Sequence, residues 1–391
     1  MKTVQERPKS RDAARLPAMD RRAFLSSCVA TGALTLPPAG AVAGNGADGT
    51  GERAALRQAW LGLLGPFPEF VPPLDLQREP RGDLEPGIAY EHVSFQSEAD
   101  DRVTAYLVIP KAALPGPGPA VICPHSTTHG AGKDRIVGMA GAAPGDPPDA
   151  PLESRAYGLE LARWGYITLC IDLPCDGERI PEGLSRYNTS AFDHDHPNWS
   201  IMGKIIWDVM RSVDFLLTQD FVDPHRIACL GHSLGGHSAL FAAAFDERIA
   251  AAVSNGGMLS WVRGTDHWAR PPDPQGRPVE SWVYIPGFRP YIEDLSRPVP
   301  ADFEHLMMLV APRPLLLMSS EQEMAQHRTV EKAAIAAARY RRLGAGDRIG
   351  LFSYPGGHNY PPVAKRHSFN WLDRWLGHVP AVPTIWPGMA V

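Results

Sequence analysis

Cysteine, excess positive charge and long apolar runs are all scarce in this sequence. Only five of its 391 residues are cysteine, and their spacing matches neither a disulfide framework nor a metal-binding quartet. Lysine and arginine number 38 against 43 aspartate and glutamate residues, and this net charge of −5 argues against binding anionic polymers through bulk charge. No run approaches the ~20 apolar residues of a membrane-spanning helix. The remaining composition, 44% hydrophobic and 21% charged, is that of an ordinary globular protein.

The first 43 residues have the pattern of an export signal. A basic segment ends in Arg21-Arg22 before Phe24-Leu25, and a weakly apolar stretch leads to the small-x-small site Ala41-Val42-Ala43. The paired arginines resemble those of twin-arginine signals, which direct folded proteins to the Tat export machinery. The sequence therefore predicts a twin-arginine signal at 1–43, cleavage near Ala43, and a periplasmic or extracellular location.

Beyond the signal, apolar runs alternate with amphipathic helical patterns. Residues 44–87 predict a helix (53–64) and a proline-rich arm that packs against the main domain. Residues 88–378 predict a mostly parallel, eight-stranded type of α/β sheet with helices on both faces, interrupted by an aromatic-rich insertion at 258–300. Residues 379–391 are left as a C-terminal tail. Strands are predicted at 90–96, 102–109, 120–123, 166–173, 227–230, 249–253, 313–318 and 349–354. Helices are predicted at 153–164, 200–218, after 236, at 328–343 and at 367–376, with a polar loop at 174–199.

One stretch joins a short apolar strand to a helix of small residues through Gly231-His232-Ser233-Leu234-Gly235. In a G-x-S-x-G turn of this kind, side chains two before and two after the serine would clash, which explains the two glycines. The turn holds its serine in a strained conformation with the hydroxyl exposed at the helix N-terminus. The motif predicts Ser233 as a nucleophile and the N–H of Leu234 as a donor to a developing oxyanion.

A serine nucleophile needs a base to take its proton and a carboxylate to orient that base. His358 is the candidate base, because it follows the last predicted strand in a glycine-rich turn that can reach the carboxyl end of the sheet. Three residues remain open as the acid. Glu321 and Glu323 follow the predicted strand 313–318, and Asp266 follows the strand before it.

The second oxyanion donor is expected in the loop after the predicted strand 120–123, at the backbone N–H of Ser126 or Thr127, of which we prefer Ser126. His194-Asp195-His196 contains residue types that bind metals. Histidines two apart on a polar loop are more often solvent-exposed, however, and no further ligand set accompanies them. The sequence therefore predicts neither a metal nor an organic cofactor.

Several stretches together resemble the α/β-hydrolase superfamily, in particular its acetyl xylan esterase and dienelactone hydrolase-like branch. The most specific is Ala311-Pro312-Arg313-Pro314, which is also similar to a segment of glucuronoyl methylesterase-like proteins. The resemblance covers about residues 88–378 and implies that the acid, usually aspartate, falls on Glu323. The chain departs from the family there and at Ser126, where the family usually has glycine. The other similar stretches are 119–125, 223–236, 354–358 and 371–376.

Residues and resemblance together predict an exported serine hydrolase that cleaves carboxylic esters through an acyl-enzyme. Its substrate is expected to be an ester of a carbohydrate or of another small molecule, as in the acetyl esterases. Two related activities remain open, those of a prolyl-oligopeptidase-type peptidase and of a glucuronoyl methylesterase. The non-enzymatic alternative is a binding protein that keeps the hydrolase fold with an inactive site.

Overall fold

The computed structural model describes residues 50–111, 116–127, 131–140, 155–258, 284–294 and 296–380. The predicted signal at 1–43 and most of the C-terminal tail lie outside the described residues. So does the part of the insertion from 259 to 283, which includes the candidate acid Asp266. In the described part of the chain, no helix is long and apolar enough to cross a membrane.

Nine strands of the described residues form one sheet, and its mostly parallel pairing confirms the predicted α/β class. The strands are β1 Gln77–Glu85, β2 Ile88–Gln96, β3 Arg102–Pro110, β4 Gly118–Pro124, β5 Ile167–Ile171, β6 Val222–His232, β7 Ala251–Asn255, β8 Leu315–Ser320 and β9 Ile349–Tyr354. Their order in space is β1-β2-β3-β5-β4-β6-β7-β8-β9. In this spatial order, the three pairs among β1, β2, β3 and β5 are antiparallel. The five pairs that continue from β5 through β4 to β9 are parallel. Strands β4, β5, β7 and β8 are buried along their whole length, as expected where helices cover both faces.

Helices pack on both faces of this sheet. Within the described ranges they are α1 Thr50–Leu64, α2 Tyr157–Trp164, α3 Ser190–Asp195, α4 Ile201–Leu216, α5 Leu234–Phe245, α6 Arg289–Glu293, α7 Phe303–Val310, α8 Glu321–Gln326, α9 Thr329–Arg342 and α10 Pro362–Leu376. Successive residues of β4 point to opposite faces. Ile122 packs into an apolar cluster with α1, α4 and α5, and Val121 into another with α2 and α10.

The first strand of the sheet lies in the arm, where the sequence predicted no strand. β1 has the sequence QREPRGDLE, and its first seven residues are exposed. It therefore lacks the apolar alternation from which strands are predicted. Its extended form depends on antiparallel pairing with β2, which is irregular around Pro80 and Gly82. The sheet accordingly begins within residues 44–87 and has one strand more than the eight predicted.

Three segments differ from their predicted secondary structure: two predicted loops contain helices, and one helix begins earlier than predicted. The polar loop 174–199 contains α3, and the closing helix α10 begins at Pro362 rather than His367. Proline suits the first turn of a helix because that position needs no N–H donor. The loop predicted after β8 is helix α8, whose N-cap Ser320 accepts a hydrogen bond from the N–H of Glu323 at 3.3 Å.

Helix α5, which follows the G-x-S-x-G turn, is buried along its whole length. The last carbonyls of such a helix need donors from elsewhere in the fold. Arg313 donates to the carbonyl of Ala243 in the helix at 2.5 Å and to that of the C-cap Asp246 at 3.0 Å, and it also binds the carbonyl of Ile249 beyond the helix at 2.8 Å. Arg57 of α1 donates to the carbonyl of Phe245 at 3.2 Å. The Ala-Pro-Arg-Pro stretch thus places a cation at the C-terminus of α5, where the helix dipole favours one.

The N-terminal helix α1 docks directly on α5. Trp60 is fully buried, and its ring meets that of Phe241 edge-on with centroids 5.0 Å apart. Phe288, in the described part of the insertion, lies 6.1 Å from the same indole. Through these contacts, α1 forms part of the support for α5.

Candidate active site

The turn between β6 and α5 holds Ser233 in a conformation that few residues with a Cβ adopt. Its φ is 57° and its ψ −120°, and positive φ costs strain energy outside glycine. The N–H of Ser233 donates to the carbonyl of Asn255 at 2.8 Å, and the Ser233 carbonyl accepts from the N–H of His237 at 2.9 Å. Contacts on both sides thus stabilise the strained turn.

Two glycines permit a backbone approach that no side chain could tolerate. A Cβ on Gly231 would lie 2.3 Å from the carbonyl carbon of Gly235. A Cβ on Gly235 would lie 2.1 Å from the carbonyl oxygen of Pro124. These are the clashes that the motif predicts, and they bring the turn into direct contact with the end of β4.

Ser233, His358 and Glu323 form a continuous series of hydrogen bonds. The Oγ of Ser233 lies 2.7 Å from Nε2 of His358, and Nδ1 of His358 lies 2.5 Å from Oε1 of Glu323. A neutral imidazole has one donor and one acceptor nitrogen. Since a carboxylate only accepts, Nδ1–H donates to Glu323 and Nε2 accepts from the Ser233 hydroxyl. The structure therefore brings together all three residues that the sequence analysis had favoured.

The carboxylate of Glu323 is held by α8 and by the end of β8. Its Oε2 accepts hydrogen bonds from the hydroxyls of Ser319 at 2.6 Å and Ser320 at 3.2 Å. Burial raises the pKa of Glu323, but the hydrogen bonds from His358 and Ser319 outweigh it and lower the pKa to about 2. Glu323 is therefore ionised at neutral pH. Glu321 lies in the same helical turn but is exposed.

The two expected oxyanion donors come from separate segments, the start of α5 and the loop after β4. Leu234 is the first residue of α5, so its N–H belongs to the positive end of that helix. Ser126 is buried in the loop after β4, the strand whose Pro124 touches Gly235. Leu234 thus follows Ser233 directly in the chain, and Ser126 lies two residues after the Pro124 that the turn approaches.

His125 shapes the loop that carries Ser126, a role that the sequence analysis did not assign. It is fully buried, and its Nε2 accepts a hydrogen bond from the N–H of Leu173 at 2.9 Å. Its Nδ1–H is therefore free to donate to the carbonyl of Ser126 at 2.6 Å. The available signal was a histidine at the end of a strand that is otherwise apolar.

The His194-Asp195-His196 stretch lies at the end of α3, with His196 as the residue that caps the helix. Nε2 of His196 lies 3.0 Å from Oε2 of Glu98, and its ring stacks on Phe192 with centroids 4.4 Å apart. Across the described ranges, no group of three or more His, Cys, Asp or Glu residues is arranged to hold a metal ion.

Comparison with known proteins relates this chain to esterases. Residues 191–344 match the family model described as glucuronyl esterase, fungi. That segment includes Ser233 and Glu323 but ends before His358. YtaP of Bacillus subtilis, a protein named as a hydrolase, is 27% identical over 326 residues, which cover 83% of this chain and all of YtaP.

Two further relatives match at 30% identity over part of their length. Carbohydrate esterase MZ0003, from an unknown prokaryote, aligns over 49% of this chain and 44% of its own. The 4-O-methyl-glucuronoyl methylesterase of Podospora anserina aligns over 39% of this chain and 34% of its own. This chain thus matches less than half the length of either protein.

Solved structures establish the architecture. The glucuronoyl esterase of Solibacter usitatus superposes with a TM-score of 0.62 at 18% identity, covering 83% of this chain and 92% of its own. The acetyl xylan esterase of Paenibacillus sp. R4 superposes at 0.52 and 20% identity, covering 83% and 92%. This is the α/β-hydrolase fold. At such identities the likeness supports the fold alone, and the reaction has to be argued from the side chains of this protein.

The contact between Gly235 and β4 can be tested by substitution. Gly235→Ala should lower the free energy of unfolding by about 1–3 kcal/mol, because its methyl group must displace backbone. Gly62→Ala is the matched control, since a Cβ on that exposed residue of α1 meets nothing within 4 Å. It should raise the free energy of unfolding by about 0.5–1 kcal/mol. Urea unfolding of both variants gives the comparison, and changes of the same sign would contradict the contact.

Proposed function

We propose that this chain is a serine esterase that hydrolyses a carboxylic ester of a carbohydrate. Ser233 is the nucleophile, His358 the general base and Glu323 the acid that orients it. The single observation that carries the proposal is the hydrogen-bonded series of 2.7 Å and 2.5 Å from the Ser233 hydroxyl through His358 to Glu323. Its support is geometric, because the three side chains come from different parts of the chain and meet in the order that acyl transfer needs.

Each step of the proposed reaction uses one of these groups. Nε2 of His358 takes the Ser233 proton as Oγ bonds to the ester carbonyl carbon, which gives a tetrahedral intermediate. The C–O bond to the alcohol then breaks, His358 returns the proton to the leaving alcohol, and an acyl-enzyme remains. Water repeats the sequence and releases the acid. Throughout, the ionised Glu323 stabilises the imidazolium that forms on His358.

The charge on the tetrahedral oxygen is proposed to be stabilised by two backbone N–H groups. One is that of Leu234 at the start of α5, where the helix dipole adds to the hydrogen bond. The other is that of Ser126, in the loop held by His125. Donors fixed before the reaction cost no reorganisation when the charge develops.

A uronic acid alkyl ester is a second candidate substrate within this class, and a specific observation favours it. The matching family model is that of glucuronyl esterases, and one relative is named as a 4-O-methyl-glucuronoyl methylesterase. Acetylated sugars are favoured by the fold likeness to an acetyl xylan esterase. The two differ in which side of the ester bond carries the sugar, so the same nucleophile serves both.

The assignment of the three residues predicts a graded loss of activity. Ser233→Ala and His358→Ala should each lower kcat for p-nitrophenyl acetate by several orders of magnitude, up to about 10⁶-fold. Glu323→Gln should cost about 10⁴-fold, because a neutral amide no longer stabilises the imidazolium. Glu321→Gln, in the same turn of α8, is the matched control and should retain the activity of the parent. A variant of Ser233 that kept half of the activity would refute the mechanism.

The substrate class is tested by product analysis on two esters. Acetylated xylan should yield acetate, whereas a methyl ester of 4-O-methyl-glucuronate should yield methanol. Ser233-dependent release of acetate would identify an acetyl ester of a sugar hydroxyl as the substrate, and release of methanol would identify an ester of a uronic acid. If neither ester is cleaved while a fluorophosphonate still labels Ser233, the carbohydrate assignment is wrong. Failure of the label as well would favour the binding-protein alternative.

We propose in addition that residues 1–43 export the folded chain and are then removed. Cleavage after Ala43 leaves α1 intact, whose Arg53 bonds to Glu247 at 2.7 Å. Replacing Arg21 and Arg22 by lysine should retain the full-length chain in the cytoplasm, whereas Arg15→Lys should not. Mass spectrometry of the N-terminus in cell fractions provides the measurement. Normal export of the double-lysine variant would exclude the twin-arginine route.

A further inference from the structure

Asn255, the last residue of β7, is fully buried and contacts both halves of the proposed catalytic machinery. Its backbone carbonyl accepts the N–H of Ser233 at 2.8 Å. Its side-chain Nδ2 lies 3.0 Å from the carbonyl oxygen of Asn359 and 2.8 Å from Nδ1 of His232. Its Oδ1 accepts the hydroxyl of Tyr354 at 2.8 Å. Two acceptors on one side and a donor on the other determine which way the amide points.

The carbonyl of Asn359 belongs to the residue that follows His358. The hydroxyl of Tyr354 lies 2.6 Å from the same oxygen, so its single proton is shared between this carbonyl and Oδ1 of Asn255. On the other side of His358 lie Gly356, with a φ of 108°, and Gly357, which allow the backbone wide freedom. Gly356 and Gly357 leave the backbone before His358 unconstrained. The Asn255 amide and the Tyr354 hydroxyl therefore anchor the loop at the residue directly after it.

The same amide determines the protonation of His232, which packs against His358. Because Nδ2 of Asn255 donates to Nδ1 of His232, that nitrogen carries no proton. Burial lowers the pKa of His232 well below its usual value, and the charges of His358 and Arg155 lower it further. The two imidazole rings lie 4.8 Å apart at 35°. A neutral ring at this place supports His358 without opposing the positive charge that His358 acquires during the reaction.

We infer that Asn255 is a positioning residue that holds the imidazole of His358 against the hydroxyl of Ser233. The inference rests on the proposed function of these two residues. Asn255 touches no reacting atom, and it acts by tying the His358 loop to the strand that already binds the backbone of Ser233. The alignment of the nucleophile with its base then depends on this amide as well as on the bond from His358 to Glu323, and Tyr354 fixes the orientation of the amide.

Loss of the anchor should reduce turnover more than substrate binding. Asn255→Ala should lower kcat for p-nitrophenyl acetate by about 10- to 100-fold, because a misplacement of about 1 Å has effects of that size. KM should change by less than about 3-fold, because the substitution leaves unchanged the contacts that bind substrate equally in the ground state and in the transition state. Labelling of Ser233 by a fluorophosphonate should slow in proportion to kcat.

A second variant keeps the test independent of folding. Tyr354→Phe removes one hydroxyl and should lower kcat by about 3- to 10-fold. In the double variant with Asn255→Ala, the loss of kcat should be smaller than the product of the two single losses, because both groups hold the same carbonyl. Ser254→Ala, on the neighbouring residue of β7, is the matched control and should have the parental kcat. Its hydroxyl is buried and makes no hydrogen bond within the described residues. Thermal unfolding confirms that each variant is folded at the assay temperature.

The outcomes separate this inference from the proposed function. If Ser233→Ala abolishes hydrolysis and both Asn255→Ala and Tyr354→Phe keep the parental kcat and labelling rate, the positioning role is overturned and the esterase stands. A rise in KM at constant kcat, or an equal loss in Ser254→Ala, would also overturn it. Absence of Ser233-dependent hydrolysis in the parent chain would overturn the proposed function, and this inference with it.

Discussion

The close backbone contact around the turn that carries Ser233 is the constraint on which the rest of the site depends. Gly235 lies against the carbonyl of Pro124 at the end of β4, and the N–H of Ser233 is bound to the carbonyl of Asn255 at the end of β7. Three parallel strands therefore end at one point of the sheet. Loops that follow neighbouring parallel strands meet at such an edge, which is why His358 can reach the hydroxyl of Ser233 and Glu323 can reach His358 although they lie far along the chain.

A strained turn persists only where the surrounding structure over-determines it. Here the support comes from segments distant in sequence. Trp60 of α1 packs on Phe241 of α5, and Arg313 binds the last carbonyls of the same helix. The strain at one end of α5 is thus opposed by apolar packing along its length and by a cation at its far end. Helix α1 and the Ala-Pro-Arg-Pro stretch thus support α5 from segments distant in the sequence.

Most of the fold could be predicted from sequence because its central strands are buried on both faces and appear as short apolar runs between turns. Strand β9 was predicted with its observed bounds and the other predicted strands within two residues of theirs, except β6, which begins five residues before its predicted start. Strand β1 could not be predicted, since its residues are polar and exposed and its extended form comes from pairing with β2. Helix α8 was missed because it is short, and its start depends on the Ser320 cap.

The sequence by itself determined the nucleophile turn and the histidine, because both depend on local backbone rules: glycines at a tight turn and a glycine-rich loop after the last strand. It also limited the acid to three residues. Only the tertiary structure decided which glutamate meets His358, since residues two apart in a helix point about 200° away from each other and α8 directs Glu323 inward. The bonds of Asn255 were likewise beyond sequence reasoning. They join β7 to a loop about a hundred residues later, through a side chain whose partners exist only once the sheet has formed.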